Sequence, residues 1–142
     1  VGTASEMLST NKIILPNEVY VANSLDSNEV RRVSVNDVMP EDMILDIEFN
    51  KEEMESAAQE MIIWNGPLGI FENDLFAKGT RDLVSYLAKS NSNVIAGGGE
   101  TIFAINKFSN MSNFHYVSTA GGAFLVYLSG STLPSIEAVD VK

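Results

Sequence analysis

Met61-Ile62-Ile63-Trp64-Asn65-Gly66-Pro67 is the stretch whose reading decides the fold. A short apolar run stops abruptly at an Asn-Gly-Pro turn, as a buried strand does when it leaves a sheet. A helical stretch follows, with Phe76, Leu83, Val84 and Leu87 predicted on one face, and Ser90–Asn93 breaks it. The same grammar then repeats. Asn93-Val94-Ile95-Ala96 ends at Gly97-Gly98-Gly99 and leads into a second helix, with Ile102 and Ile105 on one side and Asn106 and Lys107 on the other. Phe114-His115-Tyr116-Val117 ends at Ser118-Thr119-Ala120-Gly121-Gly122, and the apolar segment Ala123–Leu128 follows. Three strand–turn–helix units in succession imply an α/β fold built on a parallel sheet with right-handed crossovers.

The residues before this stretch are harder to read. Lys12–Ala22 gives two apolar runs around Pro16, read as one kinked strand, and Met43–Ile47 reads as a short strand. Lys51–Gln59 is a predicted helix with Met54, Ala57, Ala58 and Met61 at helical spacing. Charge divides the chain along the same line. Most of the 19 acidic residues fall between Asp26 and Glu60, while most of the ten glycines lie between Gly66 and Gly122.

Composition narrows the function classes. With 142 residues and 45% hydrophobic content, the chain can bury a core and is not disordered. A net charge of −10 opposes nucleic acid and anionic membranes as partners. The absence of cysteine excludes disulfides, thiolate nucleophiles and Cys-ligated zinc, and fits a reducing compartment. A single histidine excludes His-rich metal sites. The longest apolar run, Ala123–Leu128, is far short of the ~20 residues that span a bilayer.

All three turns sit where a strand hands over to a helix, the ligand-binding edge of open parallel sheets. Glycines there admit a close phosphate, and a helix N-terminus offers unpaired N–H groups. G-x-x-x-x-G-K-[ST] is absent, and the run from Gly97 does not match G-x-G-x-x-G, since its sixth position is Ile102. The turns carry no cation, so any lysine must come from elsewhere. Glu72 could accept two ribose hydroxyls or complement a helix dipole. Glu100 could meet a Mg²⁺ that arrives with a nucleotide, or act as a dipole partner. Thr101 could donate to a phosphate or sit in the first helical turn. Ser118 and Thr119 read as caps, and His115 as structural; with no acid partner they form no hydrolase triad.

Trp64-Asn65-Gly66-Pro67-Leu68-Gly69-Ile70-Phe71-Glu72 resembles the W-N-G-P-x-G-x-F-E motif of the phosphoglycerate kinases, continued by Phe76-Ala77-Lys78-Gly79-Thr80. Gly97-Gly98-Gly99-Glu100-Thr101 resembles the family's G-G-G-D-T loop, and His115–Ala123 its H-V-S-T-G-G-G-A segment. Ile14-Leu15-Pro16 and Leu45-Asp46-Ile47 resemble its I-L-L-P and L-D-I-G stretches. The resemblance implies a Rossmann-like, three-layer parallel sheet with helices on both faces. It implies a cytoplasmic glycolytic enzyme that moves a phosphoryl group reversibly between 1,3-bisphosphoglycerate and ADP, giving 3-phosphoglycerate and ATP, with Mg²⁺. Glu72 would hold the ribose, and Asn65, Gly69 and Ile70 would border the nucleotide. Gly97, Gly98, Gly99 and Thr101 would face the phosphates, and Glu100 the metal. Gly121 and Gly122 would open the helix whose N-terminus stabilises the phosphoryl group in flight.

The departures are specific. Glu100 stands where the family commonly has Asp, Ala120 replaces the first Gly of a triplet, and Glu48-Phe49 occupies the place of Gly-Pro near the adenine pocket. Residues 1–142 correspond to part of the family's C-terminal nucleotide-binding domain, with the N-terminal substrate domain and the phosphate-contacting lysine absent. The implied whole enzyme is a monomer. This part alone is expected to turn nothing over, to leave a gap between the Lys12–Ala22 strand and the strand ending at Trp64, and to rearrange or pair with another copy.

Overall fold

The computed structural model describes residues 2–56 and 60–140. Two separate three-stranded sheets organise it. β4 (Met61–Asn65), β5 (Asn93–Gly97) and β6 (Tyr116–Ser118) form a parallel sheet in the order β4-β5-β6. β1 (Glu18–Ala22), β2 (Arg31–Ser34) and β3 (Met43–Ile47) form an antiparallel sheet in the order β2-β1-β3. The α/β reading of the sequence holds, and the three predicted strand–turn–helix units are all present. The antiparallel arrangement of the first half is new.

The parallel strands share one well-buried face, while Ile63 and Tyr116, in register with Ile95 on the other, stay exposed. Trp64, Val94 and Ala96 are buried, and with Leu83, Val84, Leu87, Ala104, Ile105 and Phe114 they make one core. Each Leu or Phe so enclosed contributes roughly 1.5–3 kcal/mol. α3 (Lys78–Leu87) buries Leu83, Val84 and Leu87, one turn apart on its inner stripe. α4 (Gly99–Phe108) buries Thr101, Ala104 and Ile105. Phe76 was expected on the same helical face as Leu83. It instead lies in a 3₁₀ turn, Asp74–Phe76, and packs with Ala22 and Leu45 of the antiparallel sheet. The Asn73 side chain caps that turn by accepting from Leu75 N–H (3.0 Å), which separates it from α3.

The first half departs further from expectation. The strand predicted over Lys12–Ala22 is confined to Glu18–Ala22. Pro16 supplies no N–H and restrains the residue before it, and Ile13, Ile14 and Leu15 remain exposed. β1 instead pairs antiparallel with both neighbours, Tyr20 opposite Arg32 and Asp46. The helix expected over Lys51–Gln59 is α2 (Lys51–Ser56), and residues 57–59 lie outside the described set. Short helices α1 (Gly2–Ser9), α5 (Gly122–Leu128) and α6 (Pro134–Val139) are the remaining α-helices among the described residues. β4 lies at the outer edge of its sheet, with Met61 and Ile63 exposed.

Candidate functional site

Register brings the three turns together. In the parallel ladder Asn65 lies beside Gly97, and Gly97 beside Ser118, so all three strands end at one level. The residues that follow then lace the turns to one another. Asn65 Nδ2 donates to Gly97 O (2.8 Å), and Gly98 N–H donates to Ser118 O (3.3 Å). Gly66 N–H donates to Thr101 Oγ1 (2.8 Å), and Trp64 Nε1 donates to Gly66 O (2.7 Å). A side-chain carbon placed on Gly98 would lie 3.3 Å from Asn65 Nδ2 and 4.0 Å from Gly121 Cα. Gly98 also has φ of 101°, a conformation that disfavours any side chain, and from there it opens α4.

The resulting rim is backbone-rich. The first N–H groups of α4 have no intrahelical acceptor and point toward the space beyond the strand ends. Gly99 and Glu100 are exposed there. Thr101 is buried, and its oxygen is already occupied by Gly66 N–H, so the hydroxyl hydrogen is the group it has left to offer. Gly97 is buried against the Phe124 ring, which a side-chain carbon would approach to 2.5 Å. Gly121 and Gly122 begin α5. Among the described residues only Asn11 combines a side chain with positive φ, so the Ala120 substitution causes no backbone strain.

The loop from Gly66 to Asp74 carries Gly69, Ile70 and Glu72, and it is fastened from several elements. Leu68 N–H donates to Thr80 Oγ1 (3.1 Å) of α3, and Ile70 N–H donates to Leu45 O (2.9 Å) of β3. Gly69 presses on Asp46, where a side-chain carbon would come within 2.3 Å of Oδ1. Lys107 Nζ donates to Phe71 O (2.8 Å) and Glu72 O (3.2 Å). Glu72 itself is exposed, at the mouth of the loop.

Asp46 is the buried carboxylate of this region, 1% exposed. It accepts from Gly79 N–H (2.7 Å) and Ile47 N–H (3.0 Å). α3 has no side-chain cap of its own, so a β3 side chain serves its N-terminus. Burial pushes the Asp46 carboxyl up to about 6, against the opposing pull of the Gly79 and Ile47 N–H groups. Sequence reasoning missed Asp46, Thr80 and Lys107. The available signal was Asp46 itself, a carboxylate alone within the apolar run Met43–Ile47.

Other sequence candidates are not drawn into the rim. His115 is exposed and precedes β6. Ser118 Oγ accepts from Ala120 N–H (3.2 Å), a turn contact. Glu48 turns to Arg32, whose Nε donates to its Oε2 (2.7 Å), while Phe49 packs on Tyr86 with ring centroids 5.3 Å apart. An apolar cleft of about 240 Å³ runs past Phe49, Met54, Ile62, Trp64 and Leu68, beside the first turn. A larger cleft of about 630 Å³, between α2 and the end of α3, shares no residue with the turns, so volume alone does not mark the site.

Glu100 was the expected metal ligand. Among the described residues no three His, Cys, Asp or Glu side chains gather as a metal site. One exposed carboxylate at a helix start fits Mg²⁺ that comes with phosphate oxygens and water, and does not make a resident all-protein site.

The phosphoglycerate kinase family profile matches residues 1–131. The chain belongs to the phosphoglycerate kinase family. Phosphoglycerate kinase from Francisella philomiragia is 44% identical over 152 residues, covering 100% of this chain and 38% of that protein. The Francisella tularensis enzyme is 42% identical over 153 residues with the same coverage. The solved phosphoglycerate kinase of Coxiella burnetii superposes with a TM-score of 0.80 at 35% identity, covering 96% of this chain and 37% of that one. That of Pyrococcus horikoshii gives 0.77 at 28% identity, covering 97% and 35%. The chain thus spans little more than a third of the length of the phosphoglycerate kinases it matches.

Proposed function

We propose that this chain supplies the nucleotide-holding part of a phosphoglycerate kinase. The observation that carries the reading is the alignment of three strand ends whose glycine turns are hydrogen-bonded into one rim. Family membership gives that rim a chemistry. Glu72 accepts the ribose hydroxyls of ADP or ATP, with Asn65, Gly69 and Ile70 bordering the nucleotide. Gly97, Gly98, Gly99 and Thr101 face the phosphates, and Gly121 and Gly122 face the phosphoryl group during transfer. Glu100 holds Mg²⁺, which neutralises phosphate charge when bound.

Phosphoryl transfer asks for in-line positioning and charge stabilisation more than for covalent catalysis. Backbone amides suit the task because they are fixed by the fold and need no reorganisation. They also let a chain of net charge −10 hold a phosphate chain locally. The triose substrates, 1,3-bisphosphoglycerate and 3-phosphoglycerate, belong to the portion of the family's length that these residues do not span. The residues 1–142 therefore bind nucleotide without turning it over, and the whole enzyme works as a cytoplasmic monomer in glycolysis. Among the described residues no helix is long and apolar enough to cross a membrane.

Calorimetric titration with MgADP tests the reading. Saturable binding that weakens about tenfold in Glu72→Gln is the expected result; an absence of binding contradicts it.

A further inference from the structure

Lys107 occupies the last turn of α4, where a cation ordinarily complements the helix dipole. Here its ammonium leaves the helix and crosses to the 66–74 loop. It donates to Phe71 O (2.8 Å) and Glu72 O (3.2 Å), and it pairs with Asp74 Oδ1 (2.8 Å). Three acceptors match the three N–H donors of a lysine. The first two are the peptide carbonyls on either side of the Glu72 Cα. Holding both restricts rotation about that Cα, and so fixes the direction in which the Glu72 side chain leaves the backbone. The Phe71 ring, 1% exposed and edge-on to Phe103 and Phe108, anchors the same stretch from below.

We infer that Lys107 is a positioning residue for Glu72, aiming its carboxylate at the ribose of the bound nucleotide. This rests on the reading that the glycine rim holds ADP or ATP. The ammonium touches no reacting atom; it acts through the backbone of the residue that touches the sugar. The same contact holds the Asp74 carboxyl below the usual range, through the hydrogen bond and then the charge of Lys107. Asp74 therefore stays ionised as the third leg of the tripod. A residue that aims the ribose ligand governs discrimination between sugars, while leaving the phosphate contacts of the turns unchanged.

The test compares MgADP with its 2′,3′-dideoxy analogue, which keeps base and phosphates and lacks the hydroxyls. The full chain is titrated by calorimetry, and the fluorescence of its single tryptophan, Trp64, checks folding. Wild type is expected to prefer ADP by about tenfold, the scale of one charge-assisted hydrogen-bond pair. Lys107→Met should cut that preference to about twofold or less and leave dideoxy-ADP affinity unchanged. Adding Lys107→Met to Glu72→Gln should bring no further loss of preference. Lys107→Gln, uncharged and of similar reach, gives an intermediate preference and serves if Lys107→Met does not fold. The full, about tenfold preference retained in either variant overturns the assignment, as does equal weakening toward both ligands. Failure of wild type to bind MgADP overturns the underlying reading as well, and is distinguishable from those outcomes.

Discussion

Residues 18–47 and residues 61–118 each build three strands around buried apolar residues, Val19, Val21 and Leu45 in the first and Trp64, Val94 and Ala96 in the second, but their outer strands differ. The parallel sheet is stitched by apolar burial, with Val94 and Ala96 almost without solvent contact. In the antiparallel sheet the outer strand β2 reads Arg31-Arg32-Val33-Ser34 and buries no residue fully. Arg31 pairs with Asp42, and Arg32 pairs with both Glu18 and Glu48. These partners come from three other segments, and the arginines remain about half exposed. The difference shows a division of labour. The parallel sheet creates the rim, and the antiparallel sheet buttresses it through Leu45 and Asp46, which reach under Ile70, Gly69 and Gly79.

The buttress is most sharply broken at Gly79. A side-chain carbon there would sit 2.0 Å from Ile47 O and 2.7 Å from Asp46 Oδ1. Backbone must move to admit it. Gly79→Ala is expected to cost about 3 kcal/mol or more in denaturant unfolding. A change within about 0.5 kcal/mol, the usual range of neutral surface substitutions, would mean that β3 and α3 are not clamped together.

Asp46 gives the next effect, and it has a sign. Its carboxyl titrates near 6 in the folded chain against an ordinary 3.8, so the folded state holds the proton more tightly. The stabilisation is fully present below about pH 4 and is lost as pH rises through about 6. Relative to Asp46→Asn, which does not titrate, wild type should gain on the order of 2–3 kcal/mol as pH falls from 7 to 4. Asp46→Asn also leaves either Gly79 or Ile47 N–H without an acceptor. A stability difference independent of pH would refute the buried, ionisable clamp.

The smallest effect belongs to the ion pairs of the outer strand. Arg32→Ala should cost at most about 1 kcal/mol, diminishing in high salt, because the pairs are solvent-facing. A larger, salt-independent loss would mean that the ion pairs, and not the buried Val19, Val21 and Leu45, hold the antiparallel sheet.

The same contrast explains what could be read in advance. Runs such as Asn93–Ala96 carry their own signal, because a short apolar run closed by a glycine turn marks both the strand and its end. β2 carries none: its polar residues pair with Glu18, Asp42 and Glu48, and such distant partners leave no local periodicity. α1 buries nothing and so shows no apolar stripe to find. In the site, the turn residues were legible because glycines and motif spacing lie contiguous in sequence. Their supports were not. Lys107 reads as an outward helix residue until the fold carries the 66–74 loop to it, 35 residues back along the chain. Thr101 was expected at the phosphates, and its hydroxyl oxygen is occupied by Gly66 N–H, a long-range bond that composition does not reveal.

MgADP is expected to bind at the rim and to leave β1 and β2 of the buttress undisturbed. Amide chemical-shift mapping during MgADP titration tests it most directly. The expected shifts fall on Gly66, Gly69–Glu72, Gly97–Thr101 and Gly121–Gly122, with Glu18–Val21 and Arg31–Ser34 unchanged. Shifts confined to the larger cleft between α2 and α3, or no shifts at saturating MgADP, would contradict the account.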